Sequence, residues 1–277
     1  MARDFSYSDD DFELIRSLLF QHAGISLSPV KKDMVYSRLA RRLRHLEMDS
    51  FAAYCQRLQD GDDAEFVEFV NALTTNLTAF FRENHHFEFL ARTALPELLT
   101  SRKTQRRLRI WSAGCSTGEE PYSIAMVVRE LVSGRTSWDI KILATDLDSN
   151  VLDKARSGIY GEDRLKSVSN ARQQRFFDER PDLQAGERVV SQEARDLITF
   201  KQLNLMESWP MKGPFDVIFC RNVVIYFDKD TQRRLFERYA EFLADDGYLI
   251  IGHSESLYRV TDKFELLGNT IYRKASA

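Results

Sequence analysis

A chain of 277 residues is long enough for one large or two medium domains with a real core, and its 43% hydrophobic and 29% charged residues are those of an ordinary globular protein. A net charge of −3 excludes any global pull toward nucleic acid or membrane, so arguments of that kind must rest on local charge. No apolar run approaches the roughly 20 residues that span a bilayer, and the polar start MARDFSYSDDDF has no signal-peptide core. The three cysteines, Cys55, Cys115 and Cys220, lack metal-ligand spacing and point to reduced thiols in the cytoplasm.

The first hundred residues read as helices. Ser8 is an N-cap, Phe12, Ile15, Leu18 and Leu19 recur at helical spacing, and Gly24 ends the element. Ser28-Pro29 opens a second helix with the apolar stripe Val35, Leu39, Leu43 and Leu46. Asp49-Ser50 starts a third helix and Asp62-Asp63 a fourth, and residues 83–99 form a helix leading onward. From Arg107 the pattern becomes an alternation of strands and helices: strands at 108–114 and 140–146, helices from Pro121 and Ser149, and a strand in FDVIFCRNVVIYF. A helix capped by Asp228 runs to about Leu243, a turn follows at Asp246-Gly247, and YLIIG, FELLG and NTIYRK close the chain as strands. Such alternation implies an α/β fold with a mainly parallel sheet. The apolar signal weakens between Gly158 and Phe200, where ERVVSQ and DLITFKQ read as short strands of a subdomain inserted at about 160–200.

Chemistry gathers at the strand ends. In WSAGCSTGEEPYS, Gly114 and Gly118 let the backbone approach a ligand just before a helix N-terminus. Asp146 ends the next strand, where an acid can accept both ribose hydroxyls of an adenine nucleoside. Asn204 and Leu205 suit an adenine edge and face, and Arg221 adjoins a buried run, where a charge needs a partner. His85 and His86 lack accompanying ligands at metal spacing, so no metal site is expected, and His253 follows a strand. On the second helix Lys31, Arg38 and Arg42 share one stripe with Arg41 beside it, a basic face suited to an acidic partner.

NALTTNLTAFFRENHHF, WSAGCSTGEEPYSIA, KARSGIY, GPFDVIFCRNVVIYFD and GHSES, in this order over nearly the whole chain, strongly resemble the chemotaxis receptor methyltransferases of the CheR family. The resemblance implies a Rossmann-like sheet that binds S-adenosylmethionine (SAM), a small all-helical N-terminal domain and an inserted antiparallel β-subdomain. It divides the chain into residues 1–80, a linker helix at 81–106 and a methyltransferase domain at 107–277. Carried onto this sequence, the cofactor contacts fall on Asn76, Thr78, Arg82, Asp146, Asn204, Leu205, Arg221, Asn222 and either Glu119 or Glu120. The implied reaction moves the SAM methyl group to glutamates of membrane chemoreceptors and leaves S-adenosylhomocysteine. A glutamate of ordinary pKa about 4.3 is already anionic at neutral pH, so no general base is needed and alignment is the main task. Arg82 and Tyr226 are the candidates beside the reacting groups. The basic stripe becomes the docking face for acid-rich receptor helices, and a receptor-tail peptide at the β-subdomain is a further expected partner. No nucleic acid, membrane insertion or self-association is expected. The rival readings are a SAM-dependent methyltransferase with another acceptor and a non-catalytic SAM-binding sensor.

Overall fold

A computed structural model describes residues 4–132 and 137–275. Four helices come first: α1 (Asp9–Ala23), α2 (Lys32–His45), α3 (Phe51–Gln59) and α4 (Asp63–Leu73). Their starts are set by side chains that accept from backbone N–H groups. Ser8 and Asp11 form a reciprocal capping box, Ser50 accepts from Ala53, and Asp62 accepts from Glu65. Pro29–Lys31 is a 3-10 turn leading into α2, so that helix begins three residues later than the Ser28-Pro29 signal suggests. Phe12, Ile15, Leu19, Val35, Leu39, Leu43, Phe51, Tyr54 and Phe69 close around one another as a separate core. The helix expected at 83–99 exists in three pieces: α5 (His85–Phe89), a π-helical stretch at Leu90–Ala94 and α6 (Leu95–Ser101).

The α/β part follows with β1 (Arg107–Ala113), α7 (Glu119–Val132), β2 (Asp139–Asp146) and α8 (Ser149–Ser157). Next come β3 (Ile159–Gly161), α9 (Glu162–Leu165), α10 (Asn170–Phe176), β4 (Phe177–Asp178), β5 (Glu187–Val190) and α11 (Gln192–Arg195). The chain ends with β6 (Ile198–Gln202), β7 (Phe215–Cys220), α12 (Lys229–Phe242), β8 (Leu243–Ile251), β9 (Phe264–Gly268) and β10 (Ile271–Lys274). The main sheet has seven strands in the order β6-β2-β1-β7-β8-β10-β9. The first five run parallel, and β10 runs antiparallel to both of its neighbours, β8 and β9. The direction of winding reverses between β1 and β7, so the carboxyl ends of these strands face a crevice where ligands bind.

Three expectations change. ITFKQ is β6, which pairs in parallel with β2 at the edge of the main sheet, so the insertion is smaller than 160–200. Its own sheet is β3-β5-β4, antiparallel, and it carries three short helices as well. Asp246-Gly247 lies inside the span of β8 rather than before it, where the pairing with β7 jumps from Phe215–Leu243 to Val217–Tyr248, so the turn signal marks that irregularity of the strand. Helix α7 begins at Glu119, which puts two acids in its first turn, where the helix dipole favours negative charge.

Candidate functional site

Four strand ends and one strap from the helical domain enclose a cavity of about 380 Å³, within the range of small-ligand sites. Gly114 follows β1 with φ 81, and a Cβ there would sit 2.4 Å from Val223 Cγ2, so only glycine lets these two segments meet. Asp146 closes β2. Its Oδ2 accepts from the Ser116 N–H at 2.7 Å and its Oδ1 from the Asp148 N–H at 3.0 Å. Burial nevertheless pushes its carboxyl up to about 6, outweighing those two donors.

The strap is the segment after α4. Asp148 caps α8 with Oδ1, while its Oδ2 accepts from Thr74 Oγ1 at 2.8 Å and Asn76 Nδ2 at 2.7 Å. Ser116 Oγ donates to the Asn76 carbonyl at 2.9 Å. The strap is thereby tied to two strand ends, and Asn76, Leu77, Thr78 and Arg82 line the cavity. Arg164, from α9, donates to the Thr78 carbonyl at 3.2 Å and pairs with Glu119, so the inserted subdomain also holds the strap.

The two glutamates of α7 are separated by these contacts. Glu120 lines the cavity, accepts from Ser112 Oγ at 2.7 Å and pairs with Arg221 Nη1 at 2.9 Å. Glu119 is fully buried, accepts from Thr117 Oγ1 and Arg164, and is not among the lining residues. Arg221 therefore has its compensating charge, and a second acid, Glu83, stands 3.3 Å from its Nη2. Burial alone would raise the Glu83 carboxyl, but His253 donors and the Arg221 charge hold it down to about 2. Glu83, His85 and His86 bring ligand atoms within 4.8 Å of one another. A carboxylate thus does accompany the two histidines, unlike the sequence expectation, and it is at the same time held by Arg221 and by His253 Nδ1 at 2.8 Å. His86 is buried and pushed down to about 4, so it is neutral at physiological pH.

Leu205 and Asn204 reach the cavity after β6. The Asn204 amide is already engaged, donating to the His22 carbonyl at 2.6 Å and accepting from the Met206 N–H at 3.0 Å. Its side chain joins α1 to the sheet rim. Asn222 and Tyr226 line the cavity from the loop after β7. The Ser26 N–H donates to the Tyr226 carbonyl at 2.8 Å, and Ile25 bridges Phe227, so the helical domain also braces this loop.

The basic helix differs from expectation. Arg38 points inward and donates to the Leu73 carbonyl at 3.0 Å and the Thr74 carbonyl at 2.6 Å, capping the end of α4. Arg42 is held by Glu65, at 2.6 Å between Nη2 and Oε2, with Tyr54 Oη on the same carboxylate. Lys31 and Arg41 are exposed, and Lys31 lines the cavity. Lys31 belongs to the 3-10 turn before α2, and helical spacing carries no information on what packs across from Arg38 and Arg42. Asp148, Ser116, Glu83 and Glu255 were missed as site residues. Asp148 had a signal, an acid one residue before a helix start; the others depend on contacts between distant segments.

The residues suit an adenine nucleoside with an amino-acid tail. A buried carboxylate short of donors at a strand end matches two ribose hydroxyls, and Arg82 can receive a carboxylate. Sheet, crevice and residue set together define a SAM-dependent methyltransferase. Residues 76–273 match the CheR methyltransferase SAM binding domain, and residues 10–74 match the CheR methyltransferase all-alpha domain. The chain is 46% identical to chemotaxis protein methyltransferase 2 of Pseudomonas aeruginosa, covering 99% of this chain and 96% of that one. Identity is 45% to the chemotaxis protein methyltransferase of Salmonella typhimurium, over 98% of this chain and 92% of that protein. The Escherichia coli relative of that name is 43% identical, with 98% and 93% covered. The chain belongs to the CheR methyltransferase family, and SAM is its cofactor. Among the described residues no helix is long and apolar enough to cross a membrane.

Proposed function

We propose that this protein transfers the methyl group of SAM to glutamate side chains on the cytoplasmic signalling domains of chemoreceptors, forming methyl esters, and that it works as a cytoplasmic monomer. The observation that carries this reading is the convergence of Asp146, Arg82, Tyr226 and the exposed Lys31 on one cavity. Bound SAM supplies a methyl group on a positively charged sulfur. Asp146 holds the ribose, and Asn76, Thr78, Glu120, Leu205, Arg221, Asn222 and the backbone of Asn204 complete the cofactor's surroundings. Arg82 Nη1 donates to the Leu77 carbonyl at 2.8 Å, which fixes the side chain while leaving the guanidinium's other donors for a carboxylate. Among the described residues the Tyr226 hydroxyl has no hydrogen-bond partner, and it orients the acceptor. An ionised glutamate needs no base, so the protein's contribution is alignment of oxygen, methyl and sulfur.

Lys31 and Arg41 form the docking contacts for an acid-rich receptor helix, while Arg38 and Arg42 shape the helix pair behind them. A receptor-tail peptide adds as a strand to an open edge of the β3-β5-β4 sheet. The test is incubation with methyl-labelled SAM and a receptor signalling fragment, followed by mild base. Base-labile label on receptor glutamates is expected, and Arg82→Ala should lower the rate on the order of a hundredfold. Label on nucleic acid, or none on any receptor fragment, would overturn the reading.

A further inference from the structure

Glu255 lies after β8, is 5% exposed, and among the described residues has no cationic partner. Both of its oxygens are spent on backbone. Oε2 accepts from the Gly252 N–H at 2.6 Å and the Asn222 N–H at 2.9 Å. Oε1 accepts from the Val224 N–H at 2.9 Å and the Ile225 N–H at 3.3 Å. Three of these four donors belong to the loop between β7 and α12, the one that carries Asn222 and Tyr226 to the cavity. The opposite side of that loop is held by Gln232, whose Nε2 donates to the Val224 carbonyl at 2.8 Å and the Phe227 carbonyl at 3.0 Å.

Two further observations show that the loop's shape is imposed from outside. Asn222 has φ 58, the left-handed region that costs a non-glycine residue free energy and persists only where the surroundings require it. Gly252 is packed so closely that a Cβ would stand 2.5 Å from Asn222 Nδ2, 2.8 Å from Asn222 N and 2.9 Å from Glu255 Oε2. The loop is therefore pressed onto a bare backbone and clamped there by one carboxylate.

We infer that Glu255 is a positioning residue for methyl transfer: its carboxylate, seated against Gly252, fixes the backbone of residues 222–225 so that Asn222 and Tyr226 face the cofactor and the acceptor. The inference rests on the proposed receptor methylation for its kinetic consequence and on the cavity alone for its binding consequence. Burial raises the Glu255 carboxyl, against the four N–H groups that favour its charge, so the charged clamp is maintained by those donors.

Glu255→Gln keeps the shape but turns a donor toward backbone N–H groups, breaking one side of the clamp. The experiment measures S-adenosylhomocysteine affinity by calorimetry, and kcat and receptor KM by labelled methyl transfer, on protein whose circular dichroism matches the wild type. Glu255→Gln should weaken the affinity at least tenfold and lower kcat at least tenfold, with receptor KM within threefold. Gly252→Ala, whose Cβ would crowd both Asn222 and Glu255 Oε2 and so unseat the loop from the same clamp, should show the same signature and serves if Glu255→Gln does not fold. Affinity and kcat both within twofold of wild type in either folded variant would overturn the inference. Wild-type protein that binds the cofactor product but methylates no receptor would refute the receptor reading, while the affinity comparison would still decide the role of Glu255.

Discussion

Asp146 is the side chain whose charge depends most on whether the cavity is filled. Burial holds its carboxyl near 6 against an ordinary 3.8, so near pH 6 the free protein is a mixture of protonated and ionised forms. Ribose hydroxyls donating to the carboxylate would favour the ionised form and expel the proton. S-adenosylhomocysteine binding should therefore tighten as pH rises from 5 to about 6 and level off above, approaching tenfold per pH unit on the acid side. Calorimetry in buffers of different ionisation enthalpy should show proton release near pH 6, and Asp146→Asn should flatten the profile. A flat wild-type profile would remove this carboxylate from cofactor binding. In the free protein the sign is the reverse. A folded pKa raised above the unfolded one contributes stability that is present below 3.8 and lost as pH rises through 6, while Glu83, held near 2, contributes above 4.5 and loses its share as pH falls toward 2.

Helix α2 does two jobs with one row of arginines. Glu65 is 2% exposed and paired with Arg42, so Arg42→Ala leaves a buried carboxylate without its cation and should cost about 3 kcal/mol in chemical denaturation. Arg41 is exposed, and Arg41→Glu should leave stability within about 0.5 kcal/mol while raising the KM for a receptor fragment severalfold. If Arg42→Ala is as stable as wild type, or Arg41→Glu leaves receptor KM unchanged, the division of labour between them is wrong. The helical wheel placed both on one polar side, because periodicity reports a face and not its neighbour. The start of β6 shows the same limit, since its first residues read as part of the insertion although its end, before Asn204 and Leu205, reads as a strand end on the rim. Its sequence lies directly after the insertion, and only the parallel register Ile142 to Ile198 through Asp146 to Gln202 shows that it belongs to the main sheet.

Across the whole molecule, the parts legible in the sequence are those built by consecutive residues. The glycine turn at 114–118 and the acid at the end of β2 carry their chemistry in local patterns of strand, turn and helix. The strap could be recognised only by resemblance. Asn76, Thr78 and Arg82 have no periodicity; the first two are placed by Asp148, Ser116 and Arg164, which lie 40 or more positions later in the chain, and the Arg82 carbonyl accepts from Arg221. The same contacts explain why three regions make one site. The helical domain supplies the strap and the Ile25–Phe227 bridge, the sheet supplies the strand ends, and the inserted subdomain supplies Arg164. The first two line the cavity, and the subdomain braces the strap from behind.

The central claim is that this shared cavity binds the SAM skeleton through Asp146. Calorimetric titration of S-adenosylhomocysteine into the wild type and into Asp146→Ala tests it most directly. One saturable site per chain in the wild type, weakened at least tenfold in the variant, is the predicted result; no binding heat in folded wild-type protein, or equal affinity in both, would contradict it.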